Sequence, residues 1–245
     1  MFNYFTSNLK SSTKISLISP VYKSEKSLEK LVSESSVALS KYSNDFEIIL
    51  INDDVPNSSW EEIIRISKLH KNLKAVCLDK NYGQHTAILE GLKISSGELV
   101  VVIDCDLQES PAAIPHLIKK MGNLDYILAE RENRKAPFSV IFFSYLFYAV
   151  LKILKGVSIN YTTANFGVFT RATIEAVLAN KKEFKYFPLA IAQTKRKSTT
   201  MNVVHSDRFE GKTTYSFKIR LKLAFYILSK AKPLQNVLTK ASINV

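Results

Sequence analysis

At 245 residues the chain is long enough for one sizeable domain, alone or with an appendage, and for a substantial buried core. Its net charge of +12 is unevenly placed: residues 1–130 carry 14 Lys and Arg against 17 Asp and Glu, whereas residues 131–245 carry 20 against 5, an acidic half followed by a basic one suited to phosphate-rich or anionic partners. The two cysteines, Cys77 and Cys105, have neither Cys-x-x-Cys nor Cys/His spacing, which excludes a zinc framework and fits a reduced, cytosolic chain.

In chain order, Ile15 to Ser19 reads as a first strand, and Leu28, Leu31, Val32, Ala38, Leu39 and Tyr42 mark the helix behind it. Phe46 to Asn52 is a second strand ending in Asp53-Asp54. Trp60, Ile63, Ile64 and Leu69 outline the next helix, and Leu73 to Leu78 a third strand. Ala87, Ile88, Gly91 and Leu92 share a further helix face, and Leu99 to Ile103 is a continuous aliphatic run, as in a parallel strand buried on both faces. This alternation predicts an α/β fold with a doubly wound, mainly parallel sheet whose ligands bind at the carboxyl ends of the strands. Those ends carry the polar residues: Pro20-Val21-Tyr22, Asp53, Lys80 to His85, and Asp104-Cys105-Asp106.

Asp104 and Asp106 stand two apart, so at a strand end both carboxylates lean to one side, with Cys105 turned away between them. Two such carboxylates repel unless one is protonated or a cation intervenes. A hard divalent ion, Mg²⁺ or Mn²⁺, resolves the conflict, because it takes one or two carboxylates plus the phosphates of a substrate, and Gln108 offers a neutral oxygen in the same turn. Ser110-Pro111 then caps a helix bearing Ile114, Leu117, Ile118 and Met121. No Gly-x-Gly-x-x-Gly or Gly-x-x-x-x-Gly-Lys loop occurs, so phosphates must be held by metal and side chains. His70, His85, His116 and His205 stand singly, outside any metal-ligand spacing.

The basic half is also apolar. Residues 138–151 form a nearly uninterrupted apolar stretch flanked by Arg131, Arg134 and Lys135 before and Lys152 and Lys155 after; residues 217–228 repeat the theme with Lys218, Arg220 and Lys222. The first stretch is too short to cross a bilayer and suits a helix of about 138–154 lying at its surface, with residues 216–245 as a second basic amphipathic segment. A buried helix and an oligomer interface are the respective alternatives. Nucleic acid is not expected as a partner, since the cations are interleaved with aliphatic faces and no recognition motif appears. Residues 1–12 lack the apolar core of a signal peptide.

Together, Pro20-Val21-Tyr22 with Glu25, Asn52-Asp53, Asn81-Tyr82-Gly83-Gln84-His85, Asp104-Cys105-Asp106-Leu107-Gln108 and Arg208-Phe209-Glu210-Gly211-Lys212-Thr213-Thr214-Tyr215 resemble, in order, the motifs of family 2 glycosyltransferases. The branch they resemble most is that of dolichyl-phosphate mannose synthases and bactoprenol glucosyltransferases. The resemblance implies a GT-A fold, a UDP- or GDP-sugar donor, an inverting transfer, a divalent metal (Mg²⁺ or Mn²⁺), and an acceptor that is a polyprenyl phosphate or, alternatively, a glycan hydroxyl. A protein that only binds nucleotide sugars is the remaining alternative. Residue by residue, it implies that Pro20, Tyr22, Glu25 and Asp53 line the base and ribose pocket, with Lys80 and Gln84 nearby. Asp104 faces ribose and metal, and Asp106 and Gln108 hold the metal on the diphosphate. Arg131 and Arg134 meet the acceptor phosphate, and Arg208, Lys212 and Tyr215 sit on a closing loop. Asp106, Arg131 and Arg208 are thus the expected catalytic groups.

The chain departs from the pattern at Lys23-Ser24, Asp54-Val55 and Asn57, and at Asn165, where the branch commonly carries Asp. An amide cannot act as a base, and a phosphate acceptor, already ionised near neutral pH, needs none. The branch's C-terminal membrane spans are not read in this sequence, which places the protein peripherally at the inner face of the cell membrane. A homo-oligomer or a membrane partner protein is the further partner expected.

Overall fold

The computed structural model describes residues 13–132, 162–179, 186–206 and 209, and the backbone of 239–244. Among these residues eight strands form one sheet: β1 (Ile15–Val21), β2 (Phe46–Asn52), β3 (Leu73–Leu78), β4 (Leu99–Val102), β5 (Tyr126–Arg131), β6 (Thr163–Thr170), β7 (Ser198–Val203) and β8 (Thr239–Asn244). Their order is β7-β5-β6-β4-β1-β2-β3-β8. The run β4-β1-β2-β3 is parallel; β6 lies antiparallel between β4 and β5, β7 adds parallel to β5, and β8 closes the β3 edge antiparallel.

Strand periodicity divides the core in two. Ile15, Leu17, Ile48, Leu50, Val101 and Ile103 face one side, where they pack on Leu28, Leu31 and Leu39 of α1 (Glu25–Ser40), Trp60 and Ile63 of α2 (Ser58–Ser67), and Ile114, Leu117 and Ile118 of α4 (Ile114–Met121). Ile18, Ile49, Ile51, Val100 and Val102 face the other, against Ala87, Ile88 and Leu92 of α3 (Gln84–Ile94), Ile174 of α5 (Arg171–Ala179), and Phe187 and Ile191 of α6 (Phe187–Gln193). Both faces are covered, so the central strands read as unbroken apolar runs. The chain passes from β1 outward to β2 and β3 and then returns to the other side of β1 as β4. The carboxyl ends of β1 and β4 therefore flank the switch point, outside which open α/β sheets have their ligand crevice.

Two helix ends differ from the sequence expectation. Helix α2 stops at Ser67 and leaves Leu69 62% exposed, so Leu69 is no part of the helix's apolar face. Tyr42 lies past α1, and its hydroxyl donates to Pro115 O at 2.7 Å. The start of the fourth helix follows the sequence: the Ser110 hydroxyl accepts from Ala112 N, and a 3-10 turn at Pro111–Ala113 runs into α4. Strand β8 falls within the range read as an amphipathic segment; its Thr239 and Ile243 are β-branched, and its backbone completes the β3 edge. The interfacial stretch 138–154 and residues 216–238 lie outside the described residues. Among the described residues no helix is long and apolar enough to cross a membrane.

At the amino ends of the strands, opposite the crevice, Glu47 ties three elements together. Its carboxylate, on a residue only 3% exposed, accepts from Ser16 Oγ at 2.6 Å and from Ser96 N and Oγ at 2.8 Å each, and it pairs with Lys74 Nζ at 2.7 Å. Gly97 beside it donates to Ser16 Oγ, and a β-carbon there would lie 2.5 Å from Ser16 N, so no larger residue fits. Burial alone would raise the Glu47 pKa, but these four partners outweigh it and hold the carboxyl at about 2. With the folded value below the ordinary 4.5, the stabilisation is complete above about pH 4.5 and lost as pH falls toward 2. Urea unfolding should find Glu47→Gln about 3 kcal/mol less stable at neutral pH, with the gap closing on acidification; a gap independent of pH would show that the charge contributes nothing.

Candidate active site at the sheet switch point

The site begins where β1 and β4 end, and each strand runs into a turn with a non-glycine residue in the left-handed region, Lys23 (φ 50°) and Leu107 (φ 58°). Such backbone costs on the order of 1–2 kcal/mol and persists where surrounding structure fixes it. Here Leu107 reverses the chain so that Gln108 N donates to Asp106 Oδ1 at 3.2 Å. Strand β4 ends at Val102, before the two aspartates, so strand alternation does not set their directions; Cys105 is buried in the turn between them, its carbonyl accepts from Ser27 Oγ at 2.7 Å, and burial pushes its thiol up to about 11. The acidic turn is thereby fastened to α1.

Asp104 lies at the centre. The Gln84 side-chain amide donates to its Oδ1, the Asn165 side chain bonds it from β6, and Arg131 Nη2 lies 3.9 Å from its Oδ2. Burial, and then the negative charges of Glu109 and Asp106, push its carboxyl up to about 7, against the pull of Arg131 and Asn165. A divalent cation fits this donor set. It would remove the conflict between neighbouring carboxylates, and two carboxylates are the number such an ion ordinarily takes when substrate phosphates complete its shell. Among the described residues no three His, Cys, Asp or Glu side chains cluster as metal ligands.

Asp53 forms a second focus. It is 2% exposed at the end of β2, and its carboxylate accepts from Tyr82 N at 2.8 Å and from the backbone of Gly83. Burial is the larger influence and raises it to about 6 despite those bonds. Gly83 caps α3 at φ 91°, a conformation that favours glycine, although a β-carbon there would meet no atom within 4 Å. Asn81 Nδ2 donates to Asp53 O at 3.0 Å, so the segment between β3 and α3 wraps this carboxylate. Lys80 is exposed, with Nζ 4.9 Å from the Tyr82 ring centroid. Pro20 is buried at the end of β1, Tyr22 is half-buried under Lys23 Nζ, and Glu25 opens α1 and accepts from Ser59 Oγ at 3.2 Å. His85, next to Gln84, faces away from Asp104: its Nδ1 lies 3.4 Å from Phe187 N, its ring stands edge-on to Tyr186, and burial lowers its pKa to about 4, leaving it neutral.

The structure therefore brings Gln84, Asp104 and Arg131 together, with Asp106 and Gln108 in the adjoining turn and Asp53 in a neighbouring lobe of the crevice. Arg134, Arg208, Lys212 and Tyr215 lie outside the described residues. Two residues that the sequence did not single out belong to the cluster. Glu109, 1% exposed, takes Arg131 Nε at 2.6 Å and has His205 Nδ1 at 3.2 Å, while His205 Nε2 lies 3.4 Å from Gln108 Nε2. Burial works against ionisation of Glu109, yet His205 and Arg131 together hold its carboxyl below the usual range.

Comparison with known proteins agrees with this fold. The family model described as Glycosyl transferase family 2 matches residues 16–182. The chain is 28% identical over 218 residues to an undecaprenyl-phosphate 4-deoxy-4-formamido-L-arabinose transferase of Photorhabdus laumondii, covering 88% of this chain and 67% of that one. To the protein of the same name from Pseudomonas paraeruginosa it is 30% identical over 217 residues, covering 88% and 64%. Its fold is similar to that of glucosyl-3-phosphoglycerate synthase from Mycobacterium tuberculosis, solved with Mn²⁺, UDP and phosphoglyceric acid (TM-score 0.62, 13% identity, 92% of this chain and 79% of that one). It is similar also to a mannosyltransferase from Pyrobaculum calidifontis, solved with GDP-Man and Mn²⁺ (TM-score 0.56, 16% identity, 82% and 60%).

Proposed function

Because the chain belongs to glycosyl transferase family 2 and is a glycosyltransferase of GT-A fold, we propose that it moves a sugar from a UDP- or GDP-sugar onto a polyprenyl phosphate at a membrane surface, with inversion at the anomeric carbon. The observation that carries this reading is the run of undecaprenyl-phosphate sugar transferases that match 88% of the chain. The amide at position 165 supports it. Asn165 places an amide, not a carboxylate, against Asp104, and an amide cannot take a proton from a sugar hydroxyl. A phosphate monoester arrives already ionised and needs no such base.

In the proposed reaction an acceptor phosphate oxygen bonds to the anomeric carbon as the bond from that carbon to the nucleoside diphosphate breaks, and the electron pair leaves with the diphosphate. Asp53, whose carboxylate is held by the Tyr82 and Gly83 amides, would line the base and ribose pocket with Pro20, Tyr22 and Glu25. Asp104 and Asp106, with Gln108, would hold Mg²⁺ or Mn²⁺. When bound, the ion supplies positive charge against the charge that builds on the leaving diphosphate. Gln84 and Asn165 keep the Asp104 carboxylate oriented, and Arg131 supplies a fixed cation beside it. The basic, apolar stretches 138–154 and 216–238 would bring the domain to the lipid.

The test is a panel of radiolabelled UDP- and GDP-sugars with Mn²⁺ or Mg²⁺ and a short, water-soluble polyprenyl phosphate. One donor should label the polyprenyl phosphate in a metal-dependent manner, and free monosaccharides should remain unlabelled. Label that passes only to a glycan hydroxyl would overturn the lipid-phosphate acceptor.

A further inference from the structure

We infer that Glu109 is a positioning residue that clamps the segment following β7 onto the acidic turn and, with the same carboxylate oxygen, aims Arg131 at Asp104. Glu109 sits at the exit of the turn, one residue past Gln108 and immediately before the Ser110 cap of the 3-10 turn, so its main chain is fixed from both sides. Its Oε1 takes Arg131 Nε at 2.6 Å, which turns the far end of the guanidinium toward Asp104 Oδ2 at 3.9 Å. The same Oε1 lies 3.2 Å from His205 Nδ1, and the other nitrogen of that ring is 3.4 Å from the Gln108 amide. One carboxylate thus grips two side chains whose far ends reach the first and third polar residues of the turn.

The main chain repeats the arrangement. Glu109 and His205 form an isolated antiparallel bridge, Ser206 N donates to Gln108 O at 2.9 Å, and Phe209 N donates to Asp106 O at 3.2 Å. His205, Ser206 and Phe209 thus lie along residues 106–109, with the Phe209 ring exposed and Lys30 Nζ 5.1 Å from its centroid. A carboxylate with 1% exposure, paired with a guanidinium and an imidazole, is costly to bury for stability alone, since a well-packed apolar group serves as well. Its value here is geometric: it fixes the direction of a guanidinium whose flexible side chain could otherwise turn away, and it holds the second segment against the turn. The turnover part of the test rests on the donor-site reading above; the exchange part does not.

The experiment compares the full chain with Glu109→Gln and His205→Ala, and with the double variant, by residue-resolved amide exchange and by steady-state transfer kinetics. In both single variants the Ser206 and Phe209 amides should exchange about tenfold faster or more, while Ile103, bonded to Ile18 O within the sheet, keeps its protection. The double variant should add little to either single change, because both break one link. In Glu109→Gln, kcat should fall about 10- to 100-fold with donor KM within about twofold, and Glu109→Asp should recover part of the loss. Unchanged exchange at Ser206 and Phe209 in the two variants would overturn the clamp, as would loss of Ile103 protection in parallel, which marks a general structural role. Should Glu109→Gln fail to fold, His205→Ala, at an 18% exposed side chain, carries the same readouts. A wild-type chain that transfers no sugar while the exchange pattern holds would refute the donor reading and leave the clamp standing.

Discussion

Asp106→Asn is expected to lower metal-dependent transfer by about a thousandfold while leaving the fold intact. The side chain lies half-buried past the end of β4, outside both apolar cores, and its Oδ1 accepts from Gln108 N at 3.2 Å. An amide oxygen can accept that bond equally well, so the turn and its left-handed Leu107 should survive. What is lost is one negative charge facing a cation. Charge stabilisation of a leaving group by a bound ion is worth several kcal/mol, and about 4 kcal/mol corresponds to three orders of magnitude in rate. Initial rates across a Mn²⁺ titration, with thermal unfolding of both proteins alongside, make the check. Activity within tenfold of wild type, or full activity in EDTA, would remove Asp106 from the chemistry.

The second large effect concerns Arg131, and it has two separable parts. Removing the guanidinium in Arg131→Met leaves Glu109 buried without the cation held at 2.6 Å, and stranding one member of a buried pair costs about 3–5 kcal/mol. It also deprives Asp104 of its nearest cation, so the Asp104 carboxyl should move further up from about 7. Arg131→Lys separates the two parts. An ammonium can satisfy Glu109 but has no second arm to reach Asp104, so most of the stability should return while transfer stays about a hundredfold down. Chemical denaturation and transfer rates on the two variants read these independently. Equal stability of Arg131→Met and wild type would show that Glu109 finds another partner, and full activity of Arg131→Lys would show that the fork is not used.

The first half of the fold was legible because its strands are buried on both sides and its helices on one. Aliphatic runs at residues 15–19, 46–52, 73–78 and 99–103 match β1 to β4 to within two residues, so Asp53 and Asp104 could be placed just past strand ends, with Gln84 opening the helix after β3. The second half was not. Strand β7 reads Ser-Thr-Thr-Met-Asn-Val at the edge of the sheet and is mostly exposed, so no hydrophobic period announces it. Strand β5 ends in Glu130-Arg131, charges that look like a surface helix or loop until β6 and β7 enclose them. Glu109 escaped for a related reason. An acid beside Ser-Pro looks like the solvated start of a helix, and its burial depends on Arg131 and His205, partners on β5 and just past β7. The arginine was expected to face an acceptor phosphate; in the structure its Nε donates to Glu109, and its Nη2 lies 3.9 Å from Asp104 Oδ2.

The antiparallel pairing of β8 with β3 sets a schedule for biosynthesis. Strand β3 is complete by Leu78, but the strand that covers its outer edge begins only at Thr239. At a ribosomal rate of about 5–20 residues per second, that edge stands open for on the order of ten seconds in every nascent chain. During that interval the unpaired backbone groups of Leu73 to Leu78 can template another strand, including the same segment of a neighbouring nascent chain on a polysome. Lys74, which forms the ion pair with Glu47, places a charge on this strand, and a charged side chain on an exposed edge is a device that hinders such pairing. The residue that stakes the finished sheet would thus also protect it while it is being made.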